Sequence, residues 1–275
     1  SLDSSGEMFY KYVNTDLAKE IDRIIPTSGF NTLVGHSYTA SYLNYYIDAG
    51  NDNMTSYILF SPEKMERMPG FETKYKTKSP SVRIITAMDD TEERQTFGRN
   101  LYENFQKMKY DVKLHSIKAD HMSVIPAGIM QALTSLYDKY YNIDSIYAAI
   151  ERSDCPLWET FTSINENNRT LYKQELPVSG SCISAFLWTA IQKDEKESID
   201  KLRVYYEKAL ESENSDPNAL GVMGDLMNKL GLWKEADYYL QRCLDRYKKL
   251  KQEHETLYWR RVYSLNCLLY TSDAA

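Results

Sequence analysis

Four cysteines and four histidines are all that 275 residues contain. The cysteines (Cys155, Cys182, Cys243 and Cys267) neither pair as Cys-x-x-Cys nor crowd together, so they read as small buried hydrophobes rather than as a disulfide framework. No His/Cys or His/Glu cluster has ligand spacing, which speaks against a metal centre. No apolar run approaches the roughly 20 residues that cross a bilayer. Basic excess is missing too: the net charge is -6, the opposite sign to a nucleic-acid footprint. What remains, 43% hydrophobic and 26% charged, is the composition of an ordinary globular protein of one or two domains, long enough to bury a substantial core.

The chain starts at Ser1 without an initiator Met, so the lack of a signal peptide is uninformative and the cellular location is not legible. Residues 267–275 read as a translated sequencing adapter, and native sequence is expected to end at or just before Asn266.

The most informative stretch is Asn31-Thr32-Leu33-Val34-Gly35-His36-Ser37-Tyr38-Thr39-Ala40. A short β-prone run ends in Gly-x-Ser, and a helix-compatible segment follows at once, the pattern of a nucleophile elbow. The helix start would aim backbone N–H groups, Tyr38 first, at a developing negative charge. Upstream, Phe9, Val13, Leu17, Ile21 and Ile24/Ile25 recur at helical spacing over 7–25. Downstream, Tyr57–Phe60 is a compact apolar run, as a buried parallel strand is, and Val82–Ala87 and Val112–Ile117 read as the next two strands. A helix carrying Phe97, Leu101, Phe105 and Met108 separates the last two, and Ala127–Tyr140 reads as a closing helix. Strands alternating with helices predict an α/β fold: a parallel sheet flanked by helices, the C-terminal part of an α/β-hydrolase.

From about residue 142 the pattern is helical, with breaks at Pro156, Pro177–Gly180 and Pro217. Phe186, Ala190, Leu202, Tyr206 and Ala209 recur 34 residues later as Leu220, Gly224, Ala236, Leu240 and Cys243. That period, with small residues at close helix contacts, predicts two helix–turn–helix units resembling tetratricopeptide repeats, expected to pack on the hydrolase part or to continue further. The expected organisation is a partial hydrolase domain over 1–141, a connecting helical segment over 142–184 and tetratricopeptide-like helices over 185–266.

The order Ser, Asp, His is that of α/β-hydrolases. Ser37 would attack a carbonyl carbon, His121 would take and return the proton, and Asp90 would orient the imidazole. The Tyr38 N–H would be one oxyanion donor; a second is expected from a loop earlier in the sheet. Asp89 and Glu92 are the alternatives to Asp90. Asp120 reads as a turn cap, His36 as shaping the turn and lining the pocket, and His115 and His254 as structural. The excursion after Pro62 carries Lys64, Arg67, Lys74, Lys76 and Lys78, which fit either an acidic substrate or a solvated loop.

Gly35-His36-Ser37, the strand with Ser61-Pro62, Ala87-Met88-Asp89-Asp90 and His121-x-Ser123-Val124-x-Pro126 resemble the esterase family that includes esterase D and the enterochelin (ferric enterobactin) esterases. The resemblance covers about residues 8–140. It implies a carboxylic-ester hydrolase, siderophore lactones among the family's substrates, with no metal or organic cofactor and a small-molecule ester as partner. Some members also carry tetratricopeptide helices. One departure stands out: Thr39 occupies the place of a glycine two residues after the serine, where room for a Cβ is short. Two other readings compete: a catalytically silent hydrolase fold recruiting a protein partner through its helical repeats, and acyl transfer or peptide hydrolysis with the same three residues.

Overall fold

A computed structural model describes residues 4–25, 27–49, 54–64, 80–250 and 261. Arg67, Lys74, Lys76, Lys78, His254, Cys267 and the 267–275 tail lie outside them. The chain divides into two compact units, Ser1–Tyr140 with Tyr172–Gln174, and Tyr141–Leu171 with Glu175–Ala275.

The first unit opens with α1 (Ser4–Lys11) and α2 (Ala18–Ile24), joined through a π-helical stretch at Tyr12–Leu17. It then alternates strand and helix: β1 (Thr32–His36), α3 (Tyr38–Ala49), β2 (Ser56–Phe60), β3 (Ser81–Ala87), α4 (Glu92–Lys107), β4 (Asp111–Ile117) and α5 (Val124–Leu136). The strands form one parallel sheet in the order β1-β2-β3-β4. Side chains alternate between its two faces. Tyr57, Leu59, Val82 and Ile84 pack with Leu43, Tyr46, Leu101 and Phe105 of α3 and α4. Ile58, Phe60, Ile85 and Ala87 pack with Val124, Ala132 and Leu136 of α5. Burial on both faces is why β2 reads as an apolar run from Tyr57 to Phe60 and why β3 is apolar but for Ser81, Arg83 and Thr86.

Helix α5 begins three residues before the expected Ala127. Pro126 falls in its first turn, where an N–H has no intrahelical acceptor to lose. Helix α4 starts where the sequence indicates: the Thr91 side chain accepts from the Arg94 N–H, and Glu92 and Glu93 complement the helix dipole. All four strands end at one edge of the sheet, the place where open parallel sheets bind their ligands.

Among its described residues the second unit is all-helical, with α6 (Ile143–Arg152), α7 (Leu157–Tyr172), α8 (Gly180–Ile183), a π-helical stretch at Ser184–Trp188, α9 (Thr189–Gln192), α10 (Lys196–Ala209), α11 (Pro217–Lys229) and α12 (Trp233–Lys249). Residues 142–171, read from sequence as part of a connecting segment, share one core with the later helices: Ile146, Ile150 and Phe161 lie in the same cluster as Phe186, Leu202, Leu220 and Leu240. Helices α11 and α12 run antiparallel, since Asn218 meets Tyr247 while Gly224 meets Leu240 and Ala236. A Cβ on Gly224 would lie 2.6 Å from the Leu240 side chain, so the small residue sets the closeness of the pair. Gly231, at φ 72°, turns the chain between them. Among the described residues no helix is long and apolar enough to cross a membrane.

Candidate active site

Strand β1 delivers the chain into a tight turn at Ser37, whose φ is 56°, in the left-handed region that non-glycine residues seldom enter. The turn is pinned by Ser37 N–H donating to the Phe60 carbonyl at 2.9 Å and Ser41 N–H donating to the Ser37 carbonyl at 3.1 Å. A Cβ on Gly35 would come within 2.7 Å of the Ala40 backbone, so only glycine lets the helix fold back on the strand.

Thr39 finds room because its hydroxyl works for the turn. It accepts from the His36 N–H at 2.9 Å and donates to the His36 carbonyl at 2.6 Å, closing the backbone on itself. Thr39→Val, nearly equal in shape, removes both bonds and is expected to lower stability by about 0.5–1.5 kcal/mol. Urea unfolding monitored by circular dichroism measures the loss.

After β2, Ser61 (φ 38°) donates its N–H to the Ile85 carbonyl, and Pro62 leads to Glu63. The buried Ser41 hydroxyl accepts from the Glu63 N–H at 2.8 Å and donates to the Glu63 carbonyl. This reciprocal clasp ties the β2 loop to α3. It carries the Glu63 carboxylate to the sheet edge, where Oε2 lies 3.2 Å from Ser37 Oγ.

After β3, the backbone continues its sheet-like pairing, Met88 N–H to the Ile117 carbonyl and Asp89 N–H to the Ala119 carbonyl. Asp89 is thereby turned out to an ion pair with Lys118 at 2.6 Å, while Asp90 points in, its side chain 2% exposed. Asp90 Oδ1 accepts from the Thr91 N–H at 2.7 Å and from Arg94 at 3.1 Å. Its Oδ2 accepts from His121 Nδ1 at 2.7 Å. Burial alone would push this carboxyl up, but the donors from His121, Thr91 and Arg94 outweigh it and hold the group below the ordinary carboxylate range. Arg94 also pairs with Glu63 at 3.1 Å, so one guanidinium braces two carboxylates. Despite the pull of burial, these partners raise its pKa.

After β4, His121 turns Nε2 to within 3.1 Å of Ser37 Oγ. Asp120 caps that loop, accepting from the N–H groups of Met122 and Ser123 and from the Ser123 hydroxyl. These hydrogen bonds lower its pKa. His36 donates Nε2–H to the His121 carbonyl at 2.7 Å, the carbonyl being able only to accept, and its ring lies 4.6 Å from that of His121. Ser37, His121 and Asp90 thus stand in hydrogen-bond succession on three separate loops. Tyr38 opens α3, whose first-turn N–H groups have no acceptor within the helix. Glu92 is exposed in the first turn of α4, and His115 sits within β4 opposite Ile85, with its pKa lowered chiefly by burial. Sequence reasoning missed Glu63 and Arg94. Arg94 carried a local signal, one helical turn beyond Asp90; Glu63 carried only its place after the strand-ending Ser61-Pro62. Among the described residues no group of three or more His, Cys, Asp or Glu could hold a metal ion.

No protein-family model matches the chain. No curated protein matches it either. Among solved structures it is similar to an IroE-like serine hydrolase from Shewanella oneidensis, with 14% identity and a TM-score of 0.50 over 73% of this chain and 66% of that one. The chain therefore spans just under two thirds of that neighbour's length. Esterase PE8 matches at 16% identity and a TM-score of 0.37, covering 46% of this chain and 59% of that one. The BES protein from Bacillus cereus matches at 16% identity and 0.41, covering 48% and 58%. The fold, an α/β-hydrolase-like sheet with its helices, is what the first likeness shares with this chain.

Proposed function

We propose that this protein is a serine hydrolase that cleaves carboxylic esters through an acyl-enzyme on Ser37. The observation that carries the reading is the succession Asp90–His121–Ser37 at 2.7 and 3.1 Å, at the sheet edge. The name of its structural neighbour from Shewanella oneidensis, an IroE-like serine hydrolase, agrees with it.

As Ser37 Oγ attacks the ester carbonyl carbon, its proton passes to His121 Nε2, and the carbonyl oxygen takes the negative charge. Asp90 keeps Nδ1 protonated, so that Nε2 offers its lone pair to the hydroxyl, and stabilises the imidazolium that forms. The Tyr38 N–H faces the developing oxyanion. Collapse breaks the ester C–O bond, and the imidazolium gives its proton to the departing alcohol. Water then attacks the acyl-enzyme by the same route, releasing the acid and restoring Ser37. No step requires a cofactor.

The second unit fits a pair of tetratricopeptide-like hairpins. At the period of 34, four of the five residue pairs are buried at both positions, and only Ala209 is half-exposed. In that role the helices offer a surface to a protein partner.

A fluorophosphonate probe tests the enzymatic reading: it is expected to label the protein on Ser37, found by peptide mass spectrometry, alongside turnover of p-nitrophenyl butyrate. A folded protein that neither labels nor hydrolyses is instead the silent, partner-binding form of the fold.

A further inference from the structure

We propose that Glu63 makes the site selective for esters whose acyl or alcohol portion carries a positive charge, and sets it against anionic esters. This rests on Ser37 being the attacking residue.

The position of Glu63 is built. Its backbone is clasped at both N–H and C=O by the buried Ser41 hydroxyl, on the same helix that begins after Ser37. Its Oε2 lies 3.2 Å from Ser37 Oγ. A reacting carbonyl carbon must come within about 3–3.5 Å of that oxygen, so groups attached to it pass within a few ångströms of the carboxylate.

The local charge does not balance. Arg94 is shared by Glu63 and Asp90, two carboxylates to one guanidinium. Of the nearby lysines among the described residues, Lys118 is taken by Asp89, and Lys64 lines a cavity of about 410 Å³ together with Glu92 and Glu93. Counted over the described residues, a substrate at Ser37 therefore meets a surplus negative charge.

Glu63 also competes for the reacting proton. The Ser37 hydroxyl has one hydrogen and two acceptors in reach, Glu63 Oε2 and His121 Nε2, and only transfer to His121 activates the oxygen. A cationic substituent that engages Glu63 leaves the hydrogen to His121. The preference for positive charge then appears in kcat as well as in KM.

The test uses esters that differ in charge and little else: acetylcholine against its uncharged isostere 3,3-dimethylbutyl acetate, and p-nitrophenyl hemisuccinate against p-nitrophenyl butyrate. The unmodified protein is expected to favour acetylcholine over its isostere by about tenfold in kcat/KM, and to disfavour the hemisuccinate by a similar factor. In Glu63→Gln, which keeps an acceptor for Ser37 and Arg94, both ratios move toward one. Glu103→Gln, the same charge change at an exposed place further along α4, leaves both ratios as they are. A Glu63→Gln protein with unchanged ratios, or an unmodified protein that cleaves the neutral esters without regard to charge, overturns the role of Glu63 while Ser37 stands as nucleophile. Cleavage of none of the four esters, with no fluorophosphonate label on Ser37, overturns both.

Discussion

Ser37→Ala brings hydrolysis of p-nitrophenyl butyrate down by about 10⁴-fold or more, to the level that binding and backbone donors alone sustain. Far-UV circular dichroism and the melting transition stay close to those of the unmodified protein. The two halves of this result come from different atoms of one residue. The turn is held by the backbone of residue 37, its N–H on the Phe60 carbonyl and its carbonyl on the Ser41 N–H, and alanine keeps both. Among the described residues the hydroxyl reaches only His121 and Glu63, so removing it takes away chemistry and leaves architecture. A folded Ser37→Ala protein with undiminished turnover would place the nucleophile elsewhere.

Asp90→Asn is expected to reduce kcat by about 10³–10⁴-fold, again in a folded protein. An amide can turn its NH₂ toward His121 Nδ1, which moves the ring hydrogen to Nε2 and removes the lone pair that faces Ser37. Asp89→Asn and Glu92→Gln, which change the same charge at neighbouring positions, alter kcat less than a few-fold, because one faces Lys118 and the other is exposed. Stability gives a second readout. The carboxyl of Asp90 is held below its ordinary range, so its contribution to stability is complete above the unfolded-state value of about 3.9 and disappears as pH falls through the lower native value. Asp90→Asn therefore melts at a lower temperature than the unmodified protein at neutral pH, and the two curves draw together in acid. Differential scanning calorimetry between pH 7 and pH 3 follows the convergence; a constant gap would mean that the charge of Asp90 is not what its partners stabilise.

The centre of the first unit is legible in the sequence because β2 and β3 are buried on both faces. Tyr57–Phe60 is wholly apolar, Val82–Ala87 is interrupted only by the buried Arg83 and Thr86, and β2 and β3 coincide with these segments to within one residue. Boundaries are less legible where one residue has two meanings: Pro126 looks like a helix breaker, yet it sits inside the first turn of α5. The sequence prefers Asp90 to Asp89 and Glu92 only by its place after the strand. What separates the three physically is the extra pairing of Met88 and Asp89 with Ile117 and Ala119, at and just beyond the end of β4, which sets which side chain faces inward. Glu63 was illegible because its significance is non-local, and so was one half of what Arg94 does, its pairing with Glu63. Only the parallel order of β1, β2 and β3 brings the end of one strand beside the helix that follows another. Thr39 was legible as an oddity, and its resolution lay in a hydroxyl direction that composition does not encode.

The clasp between Ser41 and the backbone of Glu63 makes one unit of two segments that lie 22 residues apart in the chain. Whatever shifts the helix behind the reactive oxygen carries the Glu63 carboxylate along, so the spacing between Oε2 and Ser37 Oγ is kept by the same hydroxyl that holds the loop.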